Sequence, residues 1–291
     1  MSYPLQDTPT EVHAIDGKAF WVKREDLAVP LPGPPFSKVR GVWERLLELK
    51  TKGVKTVGYT ETSISMAGWA IAWACYELGM RCVIFDPQYT KEYYHGHKTH
   101  EIHRSKWKEY GAVIIPIKAG MAKPNYYIGK AILQKKYSES IMLPLGLPFE
   151  ETIEQTALQT FKLPVFPRED FATVVVCVGS GTICAGVLRG FDHQKKQIKV
   201  YGIACRETLS ITKKRDEVLS KAKIVQGGML GSLVDFRLID LGWEYTDRVQ
   251  MDTPFPCNPY YDAKALKWLL ENHHRLKKPI LFWNIGGGGE E

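Results

Sequence analysis

The most constraining feature of this chain is the run Thr173–Val178, which is apolar at every position from Val174 onward. A strand that is apolar along its whole length is typical of the middle of a parallel sheet with helices on both faces. Glycines at positions 179 and 181 follow at once, and a stretch of helical character comes next. The run therefore predicts a buried strand that enters a helix through a tight glycine turn, as in α/β folds.

Strand-like and helix-like segments alternate along the rest of the chain. We predict strands at Lys18–Val22, Thr56–Tyr59, Cys82–Phe85, Ala112–Ile117, Ile141–Leu143, Lys199–Ala204 and Pro279–Ile285. We predict helices at Lys38–Lys52, Met66–Leu78, His100–Tyr110, Pro124–Tyr137 and Glu150–Leu163, and another after Gly181. This order predicts two open parallel sheets with right-handed crossovers. We assign residues 1–41 and 149–291 to a large cofactor-binding domain and residues 42–148 to a small substrate-side domain.

Composition narrows the class of protein without naming a partner. The 291 residues are 44% hydrophobic and 24% charged, which fits one large or two close globular domains. Lys and Arg (39) exceed Asp and Glu (32), and the net charge of +7 permits an anionic ligand without requiring one. The six cysteines form no CxxC pair, and the longest apolar run, Met66–Tyr76, has about eleven residues where a membrane span needs roughly twenty. With no signal-peptide pattern at the start, we expect a cytoplasmic protein with reduced cysteines and no membrane or metal partner.

The segment Gly179–Thr182 is a candidate phosphate site. The first backbone N–H groups of a helix lack partners within it, and the helix dipole adds positive potential at that end. Gly179 and Gly181 let the backbone approach a ligand, and the hydroxyls of Ser180 and Thr182 add donors. The segment is not a Walker loop, because no Gly-Lys-Ser/Thr follows, and it lacks the third glycine of a dinucleotide fingerprint. A tight turn without a ligand is the alternative.

Lys38 is the second candidate, in the segment Pro34–Arg40, just after a turn and at the start of a predicted helix. The positive end of a helix dipole favours a neutral, nucleophilic amine. Most lysines are solvated surface groups, so Lys38 alone leaves both interpretations open.

These motifs, taken in order, resemble a known family. The chain resembles fold-type-II pyridoxal 5′-phosphate (PLP) enzymes, which are tryptophan-synthase-β-like, and within them the branch of 1-aminocyclopropane-1-carboxylate (ACC) deaminase and D-cysteine desulfhydrase. The matching stretches are collinear over nearly the whole chain: Thr8–Thr10, Lys23–Leu27, Phe36–Arg40, Ser63–Ser65, Leu78–Met80, Cys177–Gly186, Asn258–Lys264 and Ile280–Gly287. The resemblance implies two three-layer α/β parallel-sheet domains with PLP in the cleft between them.

The resemblance also assigns roles to the cofactor-binding residues. It implies that Lys38 carries PLP as a Schiff base and later moves protons. It places the loop Gly179–Thr182 at the cofactor phosphate and Asp262 opposite the ring nitrogen. A carboxylate at that position keeps the ring protonated and makes it a stronger electron sink. The alternative for Asp262 is the N-cap of the helix that follows.

Three further residues complete the implied site. The resemblance implies that Tyr261 lies at the substrate, where its hydroxyl acts as an acid, a base or a modulator of the nucleophile. Ser65 stands with the catalytic residues, and Ser63 with the cofactor-binding ones. An ordinary core aromatic is the alternative interpretation of Tyr261.

The sequence departs from the family pattern at the substrate loop. The family has an asparagine that contacts the ring hydroxyl of the cofactor, and Met66 stands at that position. A thioether does not replace the hydrogen bonds of an amide, so Thr62 or Ser63 is left to compensate. Pro35–Ser37 replaces the family's Gly-Gly-Asn, and the loop Pro144–Pro148 is more apolar than its counterpart. We interpret these departures as signs of an unusual substrate or, as the alternative, of lost chemistry.

A histidine group offers a competing function. His95, His97, His100 and His103 have a spacing that can bind zinc. No cysteine stands near, and Glu101 is the one acid among them. This favours a solvated helix start, with a substrate-contacting role as a further alternative.

A basic and aromatic stretch from Tyr89 to Lys108 is the second competing feature. Cations interleaved with aromatics can pair phosphates and stack bases. The residues concerned are Lys91, Lys98, Arg104, Lys106, Lys108, Tyr93, Tyr94 and Trp107, diluted by Glu92, Glu101 and Glu109. This pattern favours an exposed charged helix and leaves a nucleotide or nucleic acid open as a partner.

Three hypotheses about function follow. The leading one is a PLP-dependent lyase or deaminase-like enzyme that acts at Cα of an amino acid or related amine by elimination or deamination; racemisation, β-replacement and decarboxylation stay open. The second is PLP-dependent modification, for example decarboxylation, of an amino-acid-decorated nucleotide or DNA base. The third is a non-catalytic binding protein on the same scaffold. Relatives of this fold are commonly dimers, so the resemblance implies a homodimer, although the sequence carries no interface signal.

Overall fold

The computed structural model describes residues 4–90, 92–93, 98–164, 171–224 and 232–287. The chain divides into two compact units. Unit 1 consists of Met1–Pro30, Pro35–Ser37 and Thr152–Gly288, and unit 2 of Leu31–Pro34, Lys38–Glu151 and Gly289–Glu291. Unit 1 therefore combines the N-terminal segment with most of the second half of the chain, whereas most of unit 2 is one continuous stretch.

The described residues form ten strands and eight α-helices. The strands are β1 (Thr10–Ile15), β2 (Lys18–Arg24), β3 (Thr56–Thr60), β4 (Arg81–Gln88), β5 (Val113–Lys118), β6 (Ser140–Met142), β7 (Thr173–Val178), β8 (Ile198–Ala204), β9 (Val234–Ile239) and β10 (Ile280–Asn284). The helices are α1 (Val39–Thr51), α2 (Ala67–Leu78), α3 (Thr99–Glu109), α4 (Ala122–Lys136), α5 (Glu150–Thr160), α6 (Thr182–His193), α7 (Ile211–Ala222) and α8 (Asp262–Asn272). Within these ranges, no helix has both the length and the apolar character that crossing a membrane requires.

Unit 1 is built on a six-stranded sheet in the order β1-β2-β10-β7-β8-β9. Its neighbouring strands are parallel, except that β1 and β2 form an antiparallel hairpin. Asp16 and Gly17 make the turn of that hairpin with φ angles of 50° and 71°, the positive values that a tight two-residue hairpin requires. The predicted parallel α/β architecture is confirmed, and β1 adds an antiparallel edge strand to it.

β7 lies inside this sheet, between β10 and β8, and all six of its residues are buried. Val176 packs with residues of α6 and α7 on one face, and Val175 packs with residues of α8 on the other. A strand covered on both faces must be apolar throughout, which explains the sequence of β7. Its carboxyl end leads directly into the glycine turn before α6.

Unit 2 is built on a four-stranded parallel sheet in the order β5-β4-β3-β6. Ten of the twelve residues of α2 are buried, which explains why this helix has no polar face. The rings of Trp43 in α1 and Trp73 in α2 pack together with centroids 5.7 Å apart. Gly79 ends α2 in the left-handed conformation, with φ of 65°, as the sequence predicts.

The sequence patterns do not predict β1, β9 or α7. β1 and β9 are the edge strands of the unit 1 sheet, and β9 alternates buried and exposed residues. α7 buries only Val218, Leu219 and Ala222. Because these elements are half exposed, they lack the continuous apolar runs that identify central strands and covered helices.

Candidate active site

The glycine turn between β7 and α6 has the geometry of an anion site. Gly181 precedes α6 with φ of 83°, and a Cβ there would lie 2.7 Å from Cγ2 of Val218, so the position requires glycine. The hydroxyl oxygens of Ser180 and Thr182 lie 3.0 Å apart. Nζ of Lys221 donates to the carbonyl oxygen of Ser180 over 2.7 Å. The turn therefore offers helix N–H groups and hydroxyls to a phosphate, with Lys221, which also pairs with Glu217, next to it.

Asp262 is the first residue of α8 and is 1% exposed. The interpretation of Asp262 as the N-cap of this helix is wrong: Tyr261 occupies that position. One carboxylate oxygen of Asp262 instead accepts the backbone N–H of Ile285, 2.9 Å away and just beyond β10. Burial above all, and then the negative charge of Asp26, raise the pKa of Asp262 to about 8.

The surroundings of Asp262 fit the ring nitrogen of PLP. In the described part of the chain, no Lys, Arg or His side chain pairs with Asp262 within 4 Å. Asp26 is already paired, with Nη2 of Arg24 at 2.8 Å and Nδ2 of Asn284 at 2.9 Å. A protonated ring nitrogen would therefore supply the positive charge that this buried carboxyl group lacks.

Tyr261 contacts the glycine turn. Two atoms of its ring would lie 3.7 and 3.9 Å from a Cβ on Gly179, and Sγ of Cys205 would lie 3.5 Å from it. The hydroxyl of Tyr261 is 2.8 Å from that of Tyr245, and the two rings meet edge to face. Unit 1 thus brings together the predicted residues Gly179, Tyr261 and Asp262, and adds Tyr245 and Cys205, which sequence reasoning did not identify.

Asn258 shapes the turn that presents Tyr261 and Asp262. Its Oδ1 accepts the N–H of Tyr260 at 2.9 Å, and its carbonyl oxygen accepts the N–H of Ala263 at 2.9 Å. These bonds replace side-chain capping at the start of α8. The motif Asn258–Lys264 is therefore a structural unit as well as a carrier of candidate site residues.

Lys264, at the end of that motif, is fully buried. Its Nζ donates to the carbonyl oxygens of Cys205, at 2.7 Å, and Glu244, at 3.0 Å. Burial lowers the pKa of Lys264. Lys264 ties the segment next to Tyr245 to the end of β8, a role that a lone lysine in the sequence does not reveal.

Lys38 directly precedes α1, as the sequence predicts, and is half-buried. Its Nζ donates to the carbonyl oxygen of Gly146 over 2.7 Å. The preceding residue, Ser37, belongs to unit 1, where its N–H donates to the carbonyl oxygen of Ile285 at 2.9 Å. The N–H of the same Ile285 donates to Asp262. Ser37, the residue before Lys38, and Asp262 are therefore both bonded to the backbone of Ile285.

Glu61 holds the loop between β3 and α2, where the candidate residues Ser63 and Ser65 lie. Its two carboxylate oxygens accept the N–H groups of Thr62, at 2.8 Å, and Gly68, at 2.7 Å. A Cβ on Gly68 would collide with Oε2 of Glu61, so glycine is required there. Burial raises the pKa of Glu61 to about 8. Sequence reasoning missed this residue, because a glutamate gives no sign of burial in a single sequence.

The serines of this loop differ in their contacts. Ser65 Oγ accepts the N–H of Ala67, at 3.1 Å, in the first turn of α2. Ser63 has a positive φ of 63°, and its buried Oγ has no hydrogen-bond partner among the described residues. Met66 is 2% exposed and precedes α2. The first N–H groups of α2 are therefore used within the loop itself.

The predicted histidine group is only partly described, because His95 and His97 lie outside the described residues. Nε2 of His100 lies 2.7 Å from Oδ1 of Asp86. His103 is buried, and burial lowers its pKa to about 4. Over the ranges that the structure covers, no three His, Cys, Asp or Glu side chains are grouped to hold a metal ion.

The basic stretch Tyr89–Lys108 is also only partly described, because Lys91 and Tyr94 lie outside the described residues. Within α3, Lys106 pairs with Glu109 at 2.9 Å, and Nε of Arg104 lies 3.3 Å from a carboxylate oxygen of Asp86. Acidic neighbours thus offset part of the charge of this helix.

The family and a relative are matched over most of the chain. Residues 2–249 match the family model described as pyridoxal-phosphate dependent enzyme. The glycyl-dTMP PLP-dependent decarboxylase of Pseudomonas phage M6 is 34% identical over 287 residues, which cover 97% of this chain and 99% of that protein. The similarity to this relative therefore extends from end to end.

Solved structures share the fold. An ACC deaminase homologue has a TM-score of 0.72 and 16% identity, with 98% of this chain and 92% of that chain covered. A hydrogen sulfide-producing enzyme from Fusobacterium nucleatum has a TM-score of 0.66 and 16% identity, with 98% and 96% covered. O-ureido-L-serine synthase has a TM-score of 0.70 and 14% identity, with 98% and 90% covered. At these identities the likeness establishes the fold.

Proposed function

The chain belongs to the family of pyridoxal-phosphate-dependent enzymes, and on that premise we propose that it decarboxylates an amino acid carried on a thymidine nucleotide. The observation that carries the proposal is the end-to-end identity of 34% with the glycyl-dTMP decarboxylase. PLP is the cofactor, and the expectation of a fold-type-II enzyme is confirmed. The nucleotide-modifying hypothesis from the sequence thus becomes the preferred one, and elimination or deamination remains a prediction.

We assign the cofactor to residues whose chemistry fits it. The turn Gly179–Thr182, with Lys221 behind it, would hold the phosphate, and Lys38 would form the covalent link. When bound, PLP supplies a carbonyl group that condenses with amines and a ring that accepts the electron pair released at Cα of the substrate. Asp262 would pair with the ring nitrogen and keep it protonated, which strengthens the ring as an electron sink.

Decarboxylation requires one bond to break and one proton to be supplied. The bond between Cα and the carboxylate carbon breaks, CO₂ leaves, and Cα takes up a proton. We assign delivery of that proton to Nζ of Lys38, an amine of the kind that serves in general acid–base catalysis. The hydroxyl of Tyr261 lies 2.8 Å from that of Tyr245, and we assign it the role of second proton carrier.

The hydrogen bonds of the loop before α2 favour a reaction in which the substrate loses its carboxylate over one in which it keeps it. A carboxylate held by helix N–H groups is stabilised as an anion, and tighter ground-state binding slows its departure as neutral CO₂. At the start of α2 the N–H groups of Ala67 and Gly68 are already bonded to Ser65 and Glu61. The thioether of Met66 has no donor to offer.

The test is a substrate assay on the purified PLP-loaded enzyme. A thymidine monophosphate that carries an amino acid with a primary amine should release CO₂, and mass spectrometry should show a product lighter by CO₂. Lys38→Ala should abolish the reaction, whereas Lys52→Ala, an exposed lysine one residue beyond α1, should not. Release of ammonia from free amino acids, with no change in the nucleotide, would overturn decarboxylation in favour of deamination.

A further inference from the structure

We propose that Arg206 binds the phosphate of the nucleotide substrate and that Tyr245 is the positioning residue that orients its guanidinium group. This subsite rests on the proposed function, because it supplies recognition of the nucleotide part of the substrate. It lies wholly within unit 1 and uses no residue that the sequence singled out.

Arg206 lies at the carboxyl ends of the strands of unit 1, where the glycine turn also begins. It follows Cys205 directly after β8, and β8 pairs in parallel with β7, which ends in the turn. Sγ of Cys205 would lie 3.5 Å from a Cβ on Gly179. Ligands of open α/β sheets bind at the carboxyl ends of the strands, so Arg206 is at the binding edge.

The guanidinium group of Arg206 is exposed and oriented. Its Cζ lies 5.6 Å from the centre of the Tyr245 ring, a cation–π arrangement. In the part of the chain that the structure describes, no carboxylate pairs with Arg206 within 4 Å. An arginine stacked on an aromatic face keeps its planar fork of donors for a phosphate, which it binds bidentately.

Hydrogen bonds hold the backbone next to Tyr245 and Arg206 and also the hydroxyl of Tyr245. Lys264 bonds the carbonyl oxygens of both Glu244 and Cys205, the residues that precede Tyr245 and Arg206. The hydroxyl of Tyr245 meets that of Tyr261, whose ring contacts the glycine turn. A continuous set of contacts therefore runs from the candidate cofactor site to Arg206.

Two further cations of unit 1 pack on aromatic rings that are close to Tyr245 in the chain or in the motif Asn258–Lys264. Nζ of Lys267 lies 5.5 Å from the centre of the Trp243 ring, and Cζ of Arg248 lies 5.5 Å from that of Tyr260. The nearby acids are Glu207, Asp240, Glu244 and Asp247; the carboxylate of Asp247 accepts the N–H of Glu244, and that of Asp240 accepts the N–H and the hydroxyl of Thr208. The charges of this segment are therefore close to balance, and the stacked guanidinium group of Arg206 is what distinguishes it as a phosphate ligand.

The cofactor phosphate does not need Arg206. The turn Gly179–Thr182 offers its own hydroxyls and helix N–H groups, and Lys221, which also pairs with Glu217, donates to the carbonyl oxygen of Ser180. Arg206 is therefore left for a phosphate on the substrate.

The experiment compares KM and kcat of the holoenzyme for three forms of the amino-acid-bearing thymidine: nucleoside, 5′-monophosphate and oligonucleotide. Arg206→Ala should raise KM for the phosphorylated forms by about 10- to 100-fold, the value of a lost charged hydrogen bond, and leave the nucleoside unchanged. Tyr245→Leu should act in the same direction, whereas Tyr245→Phe, which keeps the ring, should leave that KM unchanged. Arg237→Ala, an exposed arginine of β9, is the matched control for lost charge.

Binding of unmodified dTMP to the holoenzyme by calorimetry gives a readout that needs no turnover. Arg206→Ala should weaken the binding of dTMP by the same factor. If Arg206→Ala instead raises KM for the oligonucleotide alone, the phosphate that Arg206 binds belongs to the DNA backbone. Equal effects on nucleoside and monophosphate, or a loss of PLP affinity with nucleotide KM unchanged, would overturn the subsite. If no nucleotide is decarboxylated but dTMP binding still depends on Arg206, the proposed function fails and the subsite stands.

Discussion

The backbone N–H of Ile285 donates to a carboxylate oxygen of Asp262 over 2.9 Å. The carbonyl oxygen of Ile285 accepts the N–H of Ser37, also at 2.9 Å, one residue before Lys38. The end of β10 thus fixes the backbone just before the candidate cofactor lysine and the candidate ring-nitrogen acid at once. The role of each of these two residues can be tested by a single substitution that leaves β10 unchanged.

Asp262→Asn should reduce kcat of the PLP-loaded enzyme by about 100-fold or more, the usual effect of removing one preorganised electrostatic partner. The amide keeps an acceptor for the N–H of Ile285 but not the charge that holds a ring nitrogen protonated. Steady-state kinetics and the near-visible absorbance of the bound cofactor measure the effect. An unchanged kcat with cofactor bound would show that Asp262 does not face the ring.

The cofactor-free protein should lose stability as the pH rises. The pKa of Asp262 is about 8 in the folded protein against an ordinary value of 3.8, so in that range the folded state holds a proton that the unfolded state has released. The stabilising contribution is therefore complete below about pH 3.8 and is lost as the pH rises through about 8. Denaturant unfolding at several pH values should show this decline, and Asp262→Asn should flatten it.

Glu61 shifts in the same sense, with a pKa of about 8 from an ordinary 4.5. Glu61→Gln should therefore flatten part of the same pH profile, and the double variant Glu61→Gln/Asp262→Asn should flatten more than either alone. A steep decline that survives in the double variant would assign the pH dependence to other groups.

Gly181→Ala should destabilise the protein by about 1–3 kcal/mol and weaken PLP binding. The substitution forces a side chain into φ of 83° and pushes a Cβ against Val218. Gly242→Ala is the matched control, because Gly242 also has a positive φ, 70°, but open space around it. Thermal unfolding and PLP titration should separate the two, with loss of PLP affinity only at position 181. Equal PLP affinity in both variants would contradict the assignment of the turn to the phosphate.

The sequence predicts the parts of the fold that depend on local pattern. β7 occurs with the predicted bounds, Thr173–Val178, because a central strand is apolar throughout. Contacts between distant side chains leave no such pattern: Lys221 reaches Ser180 across 41 residues. Glu61 is only seven residues from Gly68, yet its burial follows from packing and not from its neighbours in sequence. The sequence therefore predicts the candidate motifs, whereas the residues that support them can be identified only from the folded structure.

The covalent link to PLP can be assigned by chemistry that needs no substrate. Borohydride reduction of the PLP-loaded enzyme, followed by proteolysis and mass spectrometry, should place the cofactor mass on the peptide that contains Lys38. Lys264 should stay unmodified, because its Nζ is buried and bonded to two carbonyl oxygens. Lys221 is a second internal control, since it lies at the turn assigned to the phosphate rather than to the carbonyl group of PLP. Cofactor mass on Lys221 or Lys264 would refute the assignment to Lys38. The Lys38→Ala variant should carry no reduced cofactor on any peptide.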